Sequence, residues 1–311
     1  MAVDRIENLQ GYNPILSEAA LAYLNSAFIG TELLPIVSTK SKKFKYRVWH
    51  KDKFKWYETE RALRAEDNKV MPGDFSYVEA ELDEHSISEI LDYNEIDAAL
   101  DFDLKEDAVE TVMGIIELSK EKKIADLVQT AGNFTNKVAL TTTGCWSDTT
   151  NSDPEANITT GKDAIFAAVG QFPTVAAMGI DTWSLVKAHP KLKNLIFGTN
   201  NWGVITEELF AKQFGFQKVV IGAGWYDLAG TVTKLWNDNF IMAWVPVLGA
   251  GETQKRGRPS FGYTFSRENF PVVDERNPDN DPKLTAVRCT QQFLSKLTLE
   301  TAGYLISNTQ A

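Results

Sequence analysis

Eight of the sixteen residues from Lys40 to Lys55 are cationic. Lys43, Lys45, Arg47, Lys51, Lys53 and Lys55 take odd positions, while Phe44, Tyr46, Val48, Phe54 and the neighbouring Trp56 take even ones. A period of two is the mark of a β-strand with one charged and one aromatic face. So many like charges on one face repel unless acidic groups cover them. The chain supplies such groups: Asp74 to Glu117 holds fifteen carboxylates and a single lysine, Lys105. A basic ribbon matched to an acidic block points to assembly and not to catalysis. The candidate inter-subunit contacts are Lys43, Lys45, Arg47, Lys51, Lys53 and Lys55 on the basic side and Asp101, Asp103, Glu106 and Asp107 on the acidic side. Whether the acid belongs to the same chain or to a neighbour stays open at this level.

With 311 residues the chain has room for one large domain or two ordinary ones with a substantial core. Its formal net charge of -10 argues against a protein whose main task is neutralising phosphates, so any nucleic acid is enclosed and not gripped. The two cysteines, Cys145 and Cys289, lack metal-ligand spacing and read as reduced thiols of a cytosolic protein. Met1 to Leu24 lacks the apolar run of a signal peptide, and the most apolar stretch, Phe240 to Leu248, is too short for a bilayer, so no membrane partner is expected.

Ser17 to Ala27 has a short helical pattern inside an arm that ends near Pro35. The basic ribbon then turns back within Arg61 to Gly73 and returns through Phe75, Tyr77, Glu79 and Glu81. As a hairpin of about twenty residues per strand it would extend roughly 50–70 Å and would need a surface to lie on. From about Asp103 to Ala131 the residues Val109, Val112, Met113, Ile116, Ile124, Leu127, Val128 and Ala131 form one apolar stripe, the pattern of a long core helix. Its early acids (Glu106, Asp107, Glu110) and later lysines (Lys120, Lys122, Lys123) suit the helix dipole. Gly144 to Gly161 reads as loop and Lys162 to Phe172 as helix. Apolar strands at Thr174–Gly179, Lys218–Gly222 and Phe240–Val245 alternate with helices at Thr182–His189 and Thr206–Phe214, which predicts an α/β subdomain within an α+β chain. Gly249 to Pro282 reads mostly as loop, and Leu284 to Ser307 as two or three closing strands.

This order of parts resembles the major capsid proteins of tailed bacteriophages, the Hong Kong 97-like fold. Local phrases are similar too: Thr182-Trp183-Ser184-Leu185-Val186-Lys187-Ala188-His189-Pro190, Val219-Val220-Ile221-Gly222 followed by Tyr226-Asp227, and Pro259-Ser260-Phe261-Gly262-Tyr263-Thr264-Phe265. The resemblance implies an N-terminal arm (1–35), an extended β-arm or E-loop (36–91), a peripheral domain (92–173 and 246–303) with its spine helix (103–131), and an axial domain (174–245 and 304–311). It also implies a virion protein assembled in the host cytoplasm into pentamers and hexamers of an icosahedral shell around double-stranded DNA, without sequence-specific binding. A portal is an implied partner. The family's type member begins with a scaffolding segment of about one hundred residues; since the arm here starts almost at Met1, a separate scaffolding protein is expected. That member also joins an extended-loop lysine to an asparagine of a neighbour. Asn133, Asn136, Asn239 and Asn269 are conceivable acceptors, but lysines in a ribbon paired with carboxylates stay charged, so a non-covalent shell is expected.

Two other functions compete. An encapsulin-type compartment would use the same fold for cargo. A nucleotide-binding α/β enzyme would use Val219-Val220-Ile221-Gly222-Ala223-Gly224, yet its third glycine position holds Asp227, and Trp225 and Tyr226 crowd the turn. Asn277, Asp279 and Asp281 alternate as in a calcium loop, but Pro282 and Arg288 stand where glycine and glutamate are needed. His50, His85 and His189 are isolated. No nucleophile motif is present, and neither enzymatic activity nor a cofactor or metal is expected.

Overall fold

The computed structural model describes residues 11–22, 28–49, 56, 58–69, 75–98, 103–198, 203–246, 257–278 and 281–310. In chain order the elements are α1 (Pro14–Ala22), α2 (Gly30–Leu33), β1 (Ile36–Thr39), β2 (Lys43–Trp49), β3 (Phe75–Glu81), β4 (Asp83–Asp92), α3 (Tyr93–Ala98) and α4 (Leu104–Gln129). There follow β5 (Asn136–Ala139), α5 (Pro154–Val169), β6 (Val175–Gly179), α6 (Ile180–Ala188), α7 (Pro190–Phe197), α8 (Glu207–Phe214), β7 (Lys218–Gly222), β8 (Trp225–Leu228) and β9 (Thr231–Lys234). The last are β10 (Phe240–Ala243), β11 (Gly262–Arg267), β12 (Val272–Arg276), β13 (Leu284–Leu297) and β14 (Gly303–Ser307).

Helix α4 forms where the apolar stripe predicts it. The Asp103 carboxylate accepts from the backbone N–H groups of Lys105 and Glu106, satisfying donors that a helix start leaves free. At roughly 40 Å the helix is long enough to serve two cores. Its first half buries Val109, Val112, Met113 and Ile116 against Leu16, Leu91, Val273, Val287 and Phe293. Its second half buries Ile124, Ala125 and Val128 with Leu33, Trp236, Ile241 and Leu305. Two stripe members depart from expectation: Leu127 is only partly buried, and Ala131 is exposed in a 3-10 turn beyond the helix. The lysines do not serve the dipole either, since the last turn holds no basic residue. Lys120, Lys122 and Lys123 instead pair with Glu117, Asp126 and Asp83.

One sheet runs β1-β11-β13-β12, with β4 on the other side of β13. The second runs β5-β14-β10-β6-β7. Central strands of the second sheet are apolar throughout because both faces are covered. Val175, Ala177, Ile241 and Ala243 face α4, while Ala176, Met178, Phe240 and Met242 face Ile158 and Ile165 of α5, Trp183 of α6 and Phe210 of α8. Strand β5 and helix α5, expected in the peripheral region, thus pack with this second sheet.

Several other expectations are corrected. Of the hairpin expected with about twenty residues per strand, the described residues show a seven-residue ladder of β2 with β3; residues 58–69 form no strand, and the returning chain passes at Leu82 into β4, which pairs with β13. The loop expected over Gly144–Gly161 ends early because Asp153-Pro154 starts α5, the Asp153 side chain accepting from Ala156 N–H and proline fitting the first turn. Helix α1 begins at Pro14, ahead of Ser17, since the Asn13 side chain accepts from Ile15 and Leu16 N–H. The expected loop Gly249–Pro282 contains β11 and β12, whose Tyr263, Phe265, Val272 and Val273 are fully enclosed. Helix α7 and the β8–β9 hairpin have no counterpart in the sequence reading.

Ile116 is 3% exposed, whereas Leu127 lies at the rim of its cluster. Ile116→Ala is expected to destabilise the subunit by about 2–5 kcal/mol through cavity formation, and Leu127→Ala by about half of that or less. Urea unfolding of both variants checks the order; equal losses would contradict the two burial assignments.

Candidate assembly site

The two cores meet at a charged pair in the middle of α4. Glu121 is 2% exposed and accepts three hydrogen bonds: from Ile29 N–H (2.9 Å), from Gly30 N–H (2.8 Å to Oε2) and from Trp236 Nε1–H (2.9 Å). Burial pushes its pKa up, and the three donors together with the Lys120 charge act against that push. Gly30 is required by contact: a Cβ there would stand 2.6 Å from Glu121 Oε2 and 2.8 Å from Ile124. Lys120, also buried, turns to Glu117. Thus α4 fastens the N-terminal segment, through α2, and the strap between β9 and β10 at one point. Neither Glu121 nor Trp236 was singled out in the sequence. The readable signal is that residues 120 and 121 are charged where the stripe, stepping from Ile116 to Ile124, calls for apolar side chains.

The basic strand β2 lies over the first sheet. Phe44 and Tyr46 are buried and pack at a tilt on Phe265 with centroids 4.7 and 5.4 Å away, and at the strand's end Trp49 is buried as well, its N–H donating to Thr298 O. On the other side Lys43 and Lys45 are exposed and Arg47 half-buried, and the register sets Lys43 opposite Glu81, Lys45 opposite Glu79 and Arg47 opposite Tyr77. Lys43 reaches Glu81 at 3.4 Å, Lys42 the same carboxylate at 3.6 Å, and Lys45 reaches Glu79 at 2.8 Å. Their hydrogen bond, helped by opposite charge, holds Lys45 above and Glu79 below its ordinary pKa. The Arg47 guanidinium sits 4.5 Å from the Phe75 ring centre. Partners of the described basic residues are thus in the same chain, on the adjacent strand. Lys51, Lys53 and Lys55 lie outside the described residues, as does Asp101.

Asp103 is the helix cap, and Glu106 and Asp107 stand exposed on the first turn of α4. Beside them Lys105 Nζ meets Glu275 Oε2 at 2.6 Å, and Asn13 Nδ2 donates to Glu275 Oε1, tying the N-terminal segment to β12. The structure does not bring the described acidic candidates, Asp103, Glu106 and Asp107, to the basic strand within one chain: β2 pairs with Glu79 and Glu81 instead.

The enzymatic alternative fails on connectivity. Strand β7 is followed by the β8–β9 hairpin and not by a helix, so no helix N-terminus is available for a phosphate. Gly222 is small because a Cβ would stand 2.2 Å from the Trp236 ring. Among the described residues no group of three His, Cys, Asp or Glu is placed to hold a metal, and no helix is long and apolar enough to cross a membrane. Cys145 and Cys289 are buried free thiols, with burial pushing Cys289 up to about 12. His85 stacks on Phe293, His189 is buried, and His50 lies outside the described residues. Glu121→Ala leaves three buried donors without an acceptor and is expected to cost about 3–6 kcal/mol, at about 1–3 kcal/mol per orphaned group less relaxation. Urea unfolding measures it; a loss below about 1 kcal/mol would remove Glu121 from its central role.

Comparison with known proteins follows the same lines as this geometry. The family profile described as Phage major capsid protein E matches residues 96–283. A major capsid protein of Burkholderia phage BcepMu is 35% identical over 306 residues, spanning 97% of this chain and 98% of that one. A solved phage-related protein from Bordetella bronchiseptica RB50 has a TM-score of 0.77 at 24% identity, covering 97% and 98% of the two chains. Mycobacterium phage Che8 provides a solved chain with a TM-score of 0.53 at 13% identity, covering 93% and 94%. The fold is therefore the Hong Kong 97-like capsid fold. With a profile match over more than half its length and a relative aligned almost end to end, this chain belongs to the phage major capsid protein E family, and its function is that of a major capsid protein.

Proposed function

We propose that the chain is the repeating subunit of an icosahedral shell built from pentamers and hexamers, assembled in the host cytoplasm around double-stranded DNA, with a portal and a separate scaffolding protein as partners. The observation that carries the contact mechanism is the basic hairpin: its aromatic face is anchored on its own sheet while its cationic face stays in solvent. In this reading β2 and β3, with residues 50–74 between them, form the extended arm reaching over a neighbour. The first sheet with α4 forms the peripheral domain. The second sheet, with β5 and α5 included, forms the axial domain around the symmetry axes.

The arm's ion pairs support exchange between subunits. Lys43 and Lys45 side chains keep 81% and 63% of their exposure while paired. Pairs so exposed are weak because solvent screens them, so trading Glu79 and Glu81 for a neighbour's carboxylates costs little. We assign Lys43, Lys45, Arg47, Lys51, Lys53 and Lys55 to contacts with Asp101, Asp103, Glu106 and Asp107 of an adjacent subunit. A network repeated at every interface biases closure even though each pair is weak. DNA is enclosed without sequence readout, as a net charge of -10 suggests.

The subunits are joined without covalent cross-links. Lys45 is held in its charged form by Glu79, Lys42 and Lys43 lie against Glu81, and three conceivable acceptors are engaged: Asn133 with Leu127 O, Asn136 with Thr301 O and Asn239 with Gln129 Oε1.

Two measurements test this. The chain is expressed with a candidate scaffolding protein, and products are followed by sedimentation and negative-stain imaging. Reversal of Lys43, Lys45 and Arg47 to glutamate is expected to abolish shells while circular dichroism still reports a folded subunit; normal shells from the triple variant would overturn the arm assignment. Shells boiled in detergent with reductant are expected to give one monomer band, and a ladder of larger bands would refute the non-covalent reading.

A further inference from the structure

His189 closes a buried corner that shell assembly does not by itself require. It is the residue between α6 and α7, fully enclosed, its backbone N–H donating to Leu185 O. Its imidazole Nε2 lies 3.0 Å from the Ser152 hydroxyl on the loop that leads into α5. Ser152 has one hydroxyl proton, and that proton is committed to Asp148 O at 2.6 Å, since a carbonyl can only accept. The hydrogen between Ser152 and His189 must therefore come from Nε2. A neutral imidazole that carries its proton on Nε2 has a bare Nδ1, and His189 Nδ1 is buried with no hydrogen-bond partner.

The arrangement accepts a neutral ring and has no place for a second proton. Protonation would put a buried N–H on Nδ1 facing no acceptor, which costs more than a lost hydrogen bond because the ring is now charged. The facing charges are Lys191 on α7, which opposes a further positive charge and whose ammonium donates to Ser152 O, and Asp153 at the head of α5, which favours it. Asp153 is already occupied by Ala156 N–H, and the Asp148 carboxylate by the backbone of Thr150 and Asn151 and the Asn151 amide. Lys187 lies over the Trp183 ring.

We propose that His189 and Ser152 form an acid-sensitive latch that holds the 141–153 loop against the α6–α7 junction and opens when the imidazole gains its second proton. The opening has a defined neighbour. The same loop donates Ser147 N–H to Thr309 O, and Thr309 shares a hydrogen bond with Thr182 at the start of α6, so release of the loop reaches the end of the chain beside β14. Burial, then the Lys191 charge, hold the His189 pKa below its ordinary 6.5. For a group depressed in the folded state the contribution to stability is complete above the ordinary pKa. It is lost as pH falls from about 6.5 through the lower folded value.

The test uses the full chain labelled with 15N only at histidine, titrated from pH 8 to pH 4.5. At pH 8 the signal absent from His189→Gln is expected to show a protonated Nε2 and a bare Nδ1. On acidification amide exchange over 141–153, corrected for its intrinsic pH dependence, is expected to speed up by as much as about tenfold per pH unit below the ordinary pKa. In His189→Gln, where the amide donates to Ser152 without titrating, that acid response is expected to vanish. A ring protonated on Nδ1 at pH 8, titration near 6.5 with unchanged loop protection, or an undiminished response in His189→Gln would each overturn the latch. Should His189→Gln fail to fold, the tautomer and the loop exchange of the native chain decide alone.

Discussion

Glu121 sits where two hydrophobic cores come together on one helix, and three N–H groups from two distant parts of the chain converge on its carboxylate. Each of those donors is at a position that nothing else satisfies: two are the backbone of a chain entering a four-residue helix, and one is an indole fixed behind β10. A carboxylate is the side chain that suits, because it can accept several hydrogen bonds at once and the donors offset the cost of its burial. The path of the N-terminal segment at Ile29 and Gly30 and the seat of Trp236 are both held by this one junction. Arg288 and Asp274, joined by a hydrogen bond of 2.8 Å and an ion-pair contact of the same length, brace β13 to β12 within the first sheet in a comparable way.

A shell subunit needs a rigid body and a surface whose contacts can be exchanged, and the two requirements are met by different chemistry. Inside, the contacts are apolar on both faces of the second sheet and around α4, where repacking is costly. On the arm the contacts are exposed ion pairs and a guanidinium over aromatic rings, where changing partners costs little. The division falls within a single strand. Phe44 and Tyr46 belong to the core and Lys43 and Lys45 to the surface, with Trp49 buried at the strand's end, so one strand both secures the arm and presents it.

How much of this was legible in the sequence depends on which interactions are local. The α4 stripe, the period-two ribbon and the run Lys218–Gly222 could be read because helix and strand periodicities are written in neighbouring residues. The α5 start was equally local but was obscured by the polar composition of Gly144–Gly161; Asp153-Pro154-Glu155 was the cue. Strands β11 and β12 were hidden among Gly, Pro and Asp residues, because burial by distant β13 and α4 overrides weak local preference. The arm's partners within its own chain were out of reach for the same reason. Composition drew attention to the block around Asp103, whereas the strand register, a tertiary fact, puts Glu79 and Glu81 opposite Lys45 and Lys43. Glu121 was the least visible of all, since its three partners lie about 91 to 115 residues away.

The continuation of β3 through Leu82 into β4 sets the mechanics of the arm. Leu82 is buried, its N–H held by Lys42 O, and from Asp83 onward ten consecutive residues are matched against β13. A pull on the arm along its own axis therefore loads that ladder lengthwise, straining its backbone hydrogen bonds together. A pull across the strand would part them one after another. The first geometry resists far more force than the second, although bond number and chemistry are identical. The arm is in effect a cable spliced into the body along the direction in which it would be drawn tight.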